Sequence, residues 1–323
     1  MQHRRVSRID FDFSAVGYGM WGMGAWTGSD DEESARALDL AVERGCNVFD
    51  TAWAYGDGKS ERLLAALLRR HPGARLYTAT KVPPQDGVWP GRGTTPVSRV
   101  FPYDHVIRCT ERSRENLGVE AIDLQQLHVW DDSWAADTGW QRAAEDLKRR
   151  GLIRAFGISV NRWMPENVLA ALDTGLVDAV QVVYNIFDQS AADVLFPTCA
   201  RLGVAVIARV PFDEGSLTGT LTADATWPEG DFRNAYFTPA HLAETMRRLA
   251  PLEALVGEWG LSLPDAAIRF VLAHPAVTTT IPGMRRPRHV EMNLGAADAP
   301  PLTPGQLAAL AAHAWRRRPE DKK

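Results

Sequence analysis

Eight short β-rich runs, most of them followed by a stretch of helical periodicity, set the main constraint on this fold. The strand candidates are residues 14–19, 47–50, 76–80, 124–128, 154–159, 179–184, 204–209 and 277–281. Between and after them lie helical patterns at 31–44, 60–70, 104–117, 140–150, 165–173, 191–202, 239–259 and 263–273, then 287–294 and 303–314. In the first helix Ala35, Leu38, Ala41 and Val42 share one face, Ser29 or Asp30 supplies a cap, and Gly45 supplies a stop. Alternating β and α implies parallel strands with crossover helices. Eight such units in 323 residues fit an α/β fold of the (β/α)8 TIM-barrel kind, in a single domain over 1–323. Two long irregular segments, 82–102 and 211–238, would form loops at its C-terminal face, and loops of that length inside a compact domain usually serve function.

Composition narrows the class. Apolar residues make up 45% and charged residues 24%, as in a soluble globular protein. The net charge of −4 offers no field for nucleic acid or an anionic membrane. Cys46, Cys109 and Cys199 are odd in number and form no CxxC pair, which fits a reducing compartment. Residues 1–12 lack the apolar centre of a secretory signal, and no apolar run reaches the roughly 20 residues needed to span a bilayer. The expected location is the cytoplasm. Arg316, Arg317, Arg318, Lys322 and Lys323 read as a solvated basic terminus.

In such a barrel, chemistry sits where strands end. Asp50 closes the second strand, Lys81 follows the third, and His128 closes the fourth. Tyr55 lies in the loop just after Asp50. Singly, these residues read as a turn former, a solvated cation, a packed imidazole and a packing aromatic. Jointly they suit one task. A free phenol has a pKa of about 10, and a nearby ammonium is expected to lower it. A carboxylate would hold that ammonium in place, and an imidazole would orient a carbonyl oxygen. The set makes a proton donor for an oxygen that turns negative as hydride reaches its carbon.

The long run from Ala41 through Asp50 and Tyr55 to Glu61 resembles the signature of the aldo-keto reductase superfamily. Thr80-Lys81, residues 123–128, 157–161 and 181–184, and Ile281-Pro282-Gly283 follow in family order. The resemblance implies Tyr55 as acid, Asp50 and Lys81 as its tuners, and His128 as substrate orienter. It also implies NADP(H) across the barrel mouth. Ser159, Asn161 and Gln181 would hold the carboxamide, with Gly19, Met20, Trp21 and Asp50 near the ribose. Pro211, Gly215 and Leu217 belong to a loop covering the pyrophosphate, and Gly283, Arg285, Arg286, Arg288, Glu291 and Asn293 would grip the adenosine end. The three arginines suit a 2′-phosphate, since guanidinium binds phosphate as a fork. Where many members stack an aromatic ring on the nicotinamide, this chain has Arg209, expected to stack in its place, and His289 stands where glutamine is common.

Trp21, Trp53, Trp89 and Trp130, with Tyr55 and His128, are expected to wall a pocket for a flat, moderately apolar carbonyl compound. Three readings of activity stand: an NADPH-dependent carbonyl reductase, a dehydrogenase of alcohols or sugars running in reverse, and a cofactor-binding regulatory subunit. Gly17-Tyr-Gly19-Met-Trp-Gly22 matches GxGxxG but opens no helix, so it is no dinucleotide turn of the Rossmann kind. HExxH, GxSxG and Walker patterns are absent, and the eight histidines show no paired ligand spacing.

Overall fold

The computed structural model describes residues 1–6, 8–24 and 30–317; Ser29, Arg318, Lys322 and Lys323 lie outside them. The chain opens with an antiparallel hairpin, β1 (His3–Val6) and β2 (Phe11–Ser14). Eight parallel strands follow: β3 (Tyr18–Gly19), β4 (Val48–Asp50), β5 (Tyr77–Val82), β6 (Ile122–Leu127), β7 (Ile153–Ser159), β8 (Ala179–Val183), β9 (Ala205–Arg209) and β10 (Thr279–Thr280). Each pairs with its neighbour in chain order. Parallel bridges Val16–Thr280 and Gly19–Gly283 join the two ends, with Gly17 N donating to Thr280 O at 2.8 Å and Gly19 N to Pro282 O at 3.0 Å. The sheet is thus a (β/α)8 barrel. Closure depends on Gly19, because a Cβ there would lie 2.5 Å from Ile281 O.

Strand parity builds the interior in two layers. Val48, Tyr77, Ala79, Leu124, Ala155, Ala179, Ala205, Ile207 and Ile281 form one apolar cluster with Phe11 and Phe13 of the hairpin. The small alanines leave room that the hairpin rings fill, and Phe11 and Phe13 sit 4.9 and 5.0 Å from the Tyr77 ring. Side chains alternate faces along a strand, so residues two further on point the same way. Those residues are Asp50, Lys81, Gln126, Gly157, Gln181, Arg209 and Gly283. The apolar layer therefore supports a polar one above it.

Several boundaries differ from the sequence-based expectation. The hairpin was unforeseen, because the charges of residues 1–12 hide the alternation of Phe11 and Phe13 around Asp12. Asp30 caps the first helix, Asp31–Glu43, by accepting from Glu32 N and Glu33 N. The expected helix at 165–173 is confined to Leu169–Asp173, and that at 191–202 resolves into Ser190–Ala192 and Leu195–Leu202. Within the long loops lie short turns of helix at Val97–Val100, Asp213–Thr218 and Arg233–Tyr236. The helix at Pro287–Asp298 extends beyond its expected end. The reading of the basic terminus is corrected at Arg317. Its guanidinium is buried, donating to Asp213 at 2.6 and 3.1 Å and to Tyr236 Oη at 2.8 Å. Among the described residues no helix is long and apolar enough to cross a membrane.

Candidate active site

Asp50 ends β4, and strand parity turns its carboxylate inward over Val48. Lys81 lies in β5, fully buried, and its ammonium donates to Asp50 Oδ2 at 2.6 Å, to Thr51 O at 2.8 Å and to Tyr55 Oη at 3.5 Å. The other carboxylate oxygen of Asp50 accepts from Gln181 Nε2 at 2.8 Å and from Gln126 Nε2 at 3.3 Å. Gln126 received no role in the sequence reading. Its signal was there: it sits two residues before His128, on the same face of the strand.

Tyr55 is carried by the turn after β4, which packs against Gly24 so closely that a Cβ there would meet the Tyr55 backbone at 2.8 Å. His128 lies one residue past β6, its N donating to Val82 O at 3.0 Å. Its ring meets Tyr55 edge to face at 5.6 Å between centroids, and Trp89 covers it at 4.6 Å. Asp50, Tyr55, Lys81 and His128 thus converge at one place.

The electrostatics differ from expectation at Tyr55. Burial raises its phenol above the ordinary value; Lys81 pulls it down and Asp50 pushes it up again, and the net result is a rise. Desolvation outweighs the ammonium, so the phenol stays protonated at neutral pH. For Lys81, burial disfavours the charge, but Asp50 and then Tyr55 more than offset it, and its pKa is raised. Burial, Lys81 and Arg209 hold His128 well below the usual imidazole value, so it is neutral.

A groove of about 760 Å³ starts at these residues and runs across the mouth to Arg285 and His289. Of the residues expected to meet a cofactor, Gly19, Met20, Trp21, Asp50, Gln181, Arg209, Pro211, Gly215, Gly283 and Arg285 line it. Ser159 is beside Gln181 in register but is not in the lining, and Asn161 donates its amide to Gly91 O at 3.1 Å. Leu217 is packed in the core, which anchors the turn instead of facing the groove. Arg286 faces Glu33 at 3.5 Å, Arg288 lies against His289, and Glu291 pairs with Arg44. Asn293 is buried, and its amide N and O find no partner among the described residues.

The four tryptophans separate. Trp21 and Trp89 line the groove, and Trp21 touches Phe232 at 4.8 Å. Trp53 is not part of the lining. Trp130 is fully buried, stacked edge-on with Trp134 and Trp140 at 5.7 and 5.1 Å. Its place is the core beneath the loop, because two other indoles give it a dry pocket. Sequence reasoning missed Phe232 and Arg233 of the lining, in a long loop that carries no periodic pattern, and Arg162, in the irregular turn after β7.

The Aldo/keto reductase family model matches residues 15–314. The chain belongs to the aldo/keto reductase family. It is therefore a carbonyl–alcohol oxidoreductase of a family that uses nicotinamide cofactors. It is 28% identical over 319 residues to an uncharacterized oxidoreductase of Bacillus subtilis, covering 97% of this chain and 96% of the relative. It is 25% identical to the NADH-specific methylglyoxal reductase of Escherichia coli, covering 90% and 92%. Among solved structures, the glycerol dehydrogenase of Gluconobacter oxydans superimposes with a TM-score of 0.77 at 26% identity, covering 97% and 94%.

Proposed function

We propose that this aldo/keto reductase reduces an aldehyde or ketone to an alcohol with NADPH, with Tyr55 as proton donor. The observation that carries the reading is Lys81 Nζ, held 2.6 Å from Asp50 and 3.5 Å from the Tyr55 hydroxyl beside a neutral His128.

The groove suits a long dinucleotide. It has the buried Asp50 end, a far end at Arg285, and along it polar atoms that find no partner among the described residues, Arg209 Nε and Arg285 Nη1. A bound dihydronicotinamide would supply the hydride. The chain's own residues do the rest. Neutral His128 orients the carbonyl oxygen through a ring N–H. Tyr55, protonated at neutral pH, gives its proton to that oxygen as negative charge develops. Lys81 then stabilises the phenolate left behind, and Asp50 and Thr51 O hold the ammonium in line. Gln181 keeps Asp50 fixed, and Trp21 and Trp89 give the groove apolar walls. Arg285, with Arg286 and Arg288 nearby, favours a 2′-phosphate. The Escherichia coli relative, NADH-specific by name, makes that preference the point to measure.

Loss of reduced-nicotinamide absorbance with a panel of aldehydes and ketones, using NADPH and NADH in parallel, tests the reading. Turnover with NADPH supports it. Failure to bind either nucleotide overturns it. The Gluconobacter oxydans neighbour is a glycerol dehydrogenase, so alcohol oxidation by the same residues is the second reading.

A further inference from the structure

Gln126 lies in β6, beside Lys81 of β5 in the strand register, and is fully buried. It does not line the groove. Both ends of its amide are engaged: Nε2 donates to Asp50 Oδ1 at 3.3 Å, and Oε1 accepts from Gln181 Nε2 at 3.2 Å. Gln181 Nε2 also donates to the same Asp50 oxygen at 2.8 Å. The three side chains, from β4, β6 and β8, close a ring of hydrogen bonds. The intervening strand β7 makes room for it. Its residue in register with Gln126 is Gly157, where a Cβ would lie 3.1 Å from Gln126 Cγ and 2.9 Å from Ala179 O. A buried amide is costly unless it is hydrogen-bonded. The bonds Gln126 makes lead to Asp50, one directly and one through Gln181.

The two oxygens of Asp50 therefore have separate duties. Oδ2 receives the Lys81 ammonium at 2.6 Å, and Oδ1 receives the two amides. Donors arriving from two strands fix the plane of the carboxylate, and the carboxylate fixes where the ammonium stands. Lys81 Nζ reaches Tyr55 Oη at 3.5 Å, the outer limit of a hydrogen bond, so a small drift would end the contact. We propose that Gln126 is a positioning residue for the reduction: through Asp50 it holds Lys81 where the ammonium can stabilise the charge left on Tyr55. This rests on the reading of Tyr55 as proton donor and adds to it a residue outside the groove. Loss of one hydrogen bond to a buried charge corresponds to a fall in turnover on the order of ten-fold. Gln181 keeps its shorter bond to Asp50, so the groove keeps its lining and its nucleotide affinity.

The test compares wild type with Gln126→Leu and Gln126→Glu. It measures kcat with a carbonyl compound and the reduced nucleotide that wild type uses, and nucleotide affinity by quenching of intrinsic tryptophan fluorescence. Gln126→Leu should lower kcat about ten-fold and leave nucleotide affinity unchanged. In an Asp50→Asn background the same substitution should cost little more, because the carboxylate it acts through is gone. Gln126→Glu keeps the shape and reads the contact by pH. Burial and the Asp50 carboxylate favour the protonated form of the introduced acid, against the pull of Lys81 and Arg209, with Tyr55 and His128 neutral nearby. Protonated, it can donate to Asp50 as the amide does; ionised, it repels that carboxylate. Turnover of this variant should fall as pH rises from about 7 to 9, where wild type is flat. Unchanged kcat in Gln126→Leu, equal losses with and without the Asp50 carboxylate, or a Gln126→Glu profile parallel to wild type overturn the inference and leave Tyr55 as donor. A wild-type protein that turns over no carbonyl with either nucleotide overturns the functional reading, and this inference with it. If Gln126→Leu fails to fold, the pH profile of Gln126→Glu decides.

Discussion

The ammonium of Lys81 and the carboxylate of Asp50 meet at 2.6 Å with both side chains sealed from bulk water. Removing one partner of such a pair leaves a buried, uncompensated charge, at a cost of about 3–5 kcal/mol. Asp50→Asn and Lys81→Met should each lower unfolding stability by that order in urea titrations. The double variant should lose less than the sum. Strict additivity would show that the two groups do not interact in the folded state.

Tyr55→Phe keeps the ring and removes the hydroxyl. Turnover should fall by about 10²–10⁴-fold, the usual worth of general acid catalysis, with NADPH affinity preserved. Steady-state rates and direct binding separate the two quantities. A variant with wild-type turnover would remove Tyr55 from the chemistry.

The pH profile follows from the directions of shift. Tyr55 is raised and His128 is held well below its ordinary 6.5, so neither changes protonation around neutrality. The rate of the reductive step should be flat between about pH 7 and pH 9. For stability the sign is that of a depressed group: the contribution of His128 is complete above its unfolded value of 6.5 and is lost as pH falls below it. Thermal unfolding of wild type from pH 8 to pH 5, set against His128→Asn, reads this directly. A variant as acid-sensitive as wild type refutes the assignment.

Arg317 holds Asp213 in the turn that forms one side of the groove, and both side chains are 2% exposed. Arg317→Ala should destabilise by about 3–5 kcal/mol and weaken nucleotide binding, with the dissociation rate rising more than the association rate falls. Stopped-flow fluorescence resolves the two rates. Unchanged kinetics would confine Arg317 to a role in folding.

Gly19→Ala should open the barrel seam, because the new methyl meets backbone at Ile281 that cannot swing aside. The expected loss is about 1–3 kcal/mol or more, seen by calorimetry, and faster amide exchange at Gly17 and Gly19 should accompany it.

Much of this architecture was legible because periodicity carries it. Asp50, Lys81 and His128 stood at strand ends in the chain, and parity brought them together. The same parity would have exposed Gln126, had the alternation been followed inward from His128. Arg209 was legible as a departure, though the charges that surround it, Arg162 and the carboxylates of Asp188 and Asp50, come together only through the fold. Trp89 and Trp130 look alike in sequence, each beside a proline-rich or acidic loop. Only packing against Trp134 and Trp140 tells one from the other. Arg317 sits in a run of arginines, and nothing local distinguishes the member that turns inward. The Tyr55 shift was read from its neighbours' charges alone, and the competing desolvation became visible only with the enclosure around it.

The aromatic hairpin stopper makes the barrel a vessel with one working end. The groove beside the buried ammonium opens at the opposite rim, the rim that the long loops frame. Grafting different rims onto this barrel should therefore change what it accepts while leaving the Asp50–Lys81 pair intact, because the two are held by different parts of the chain.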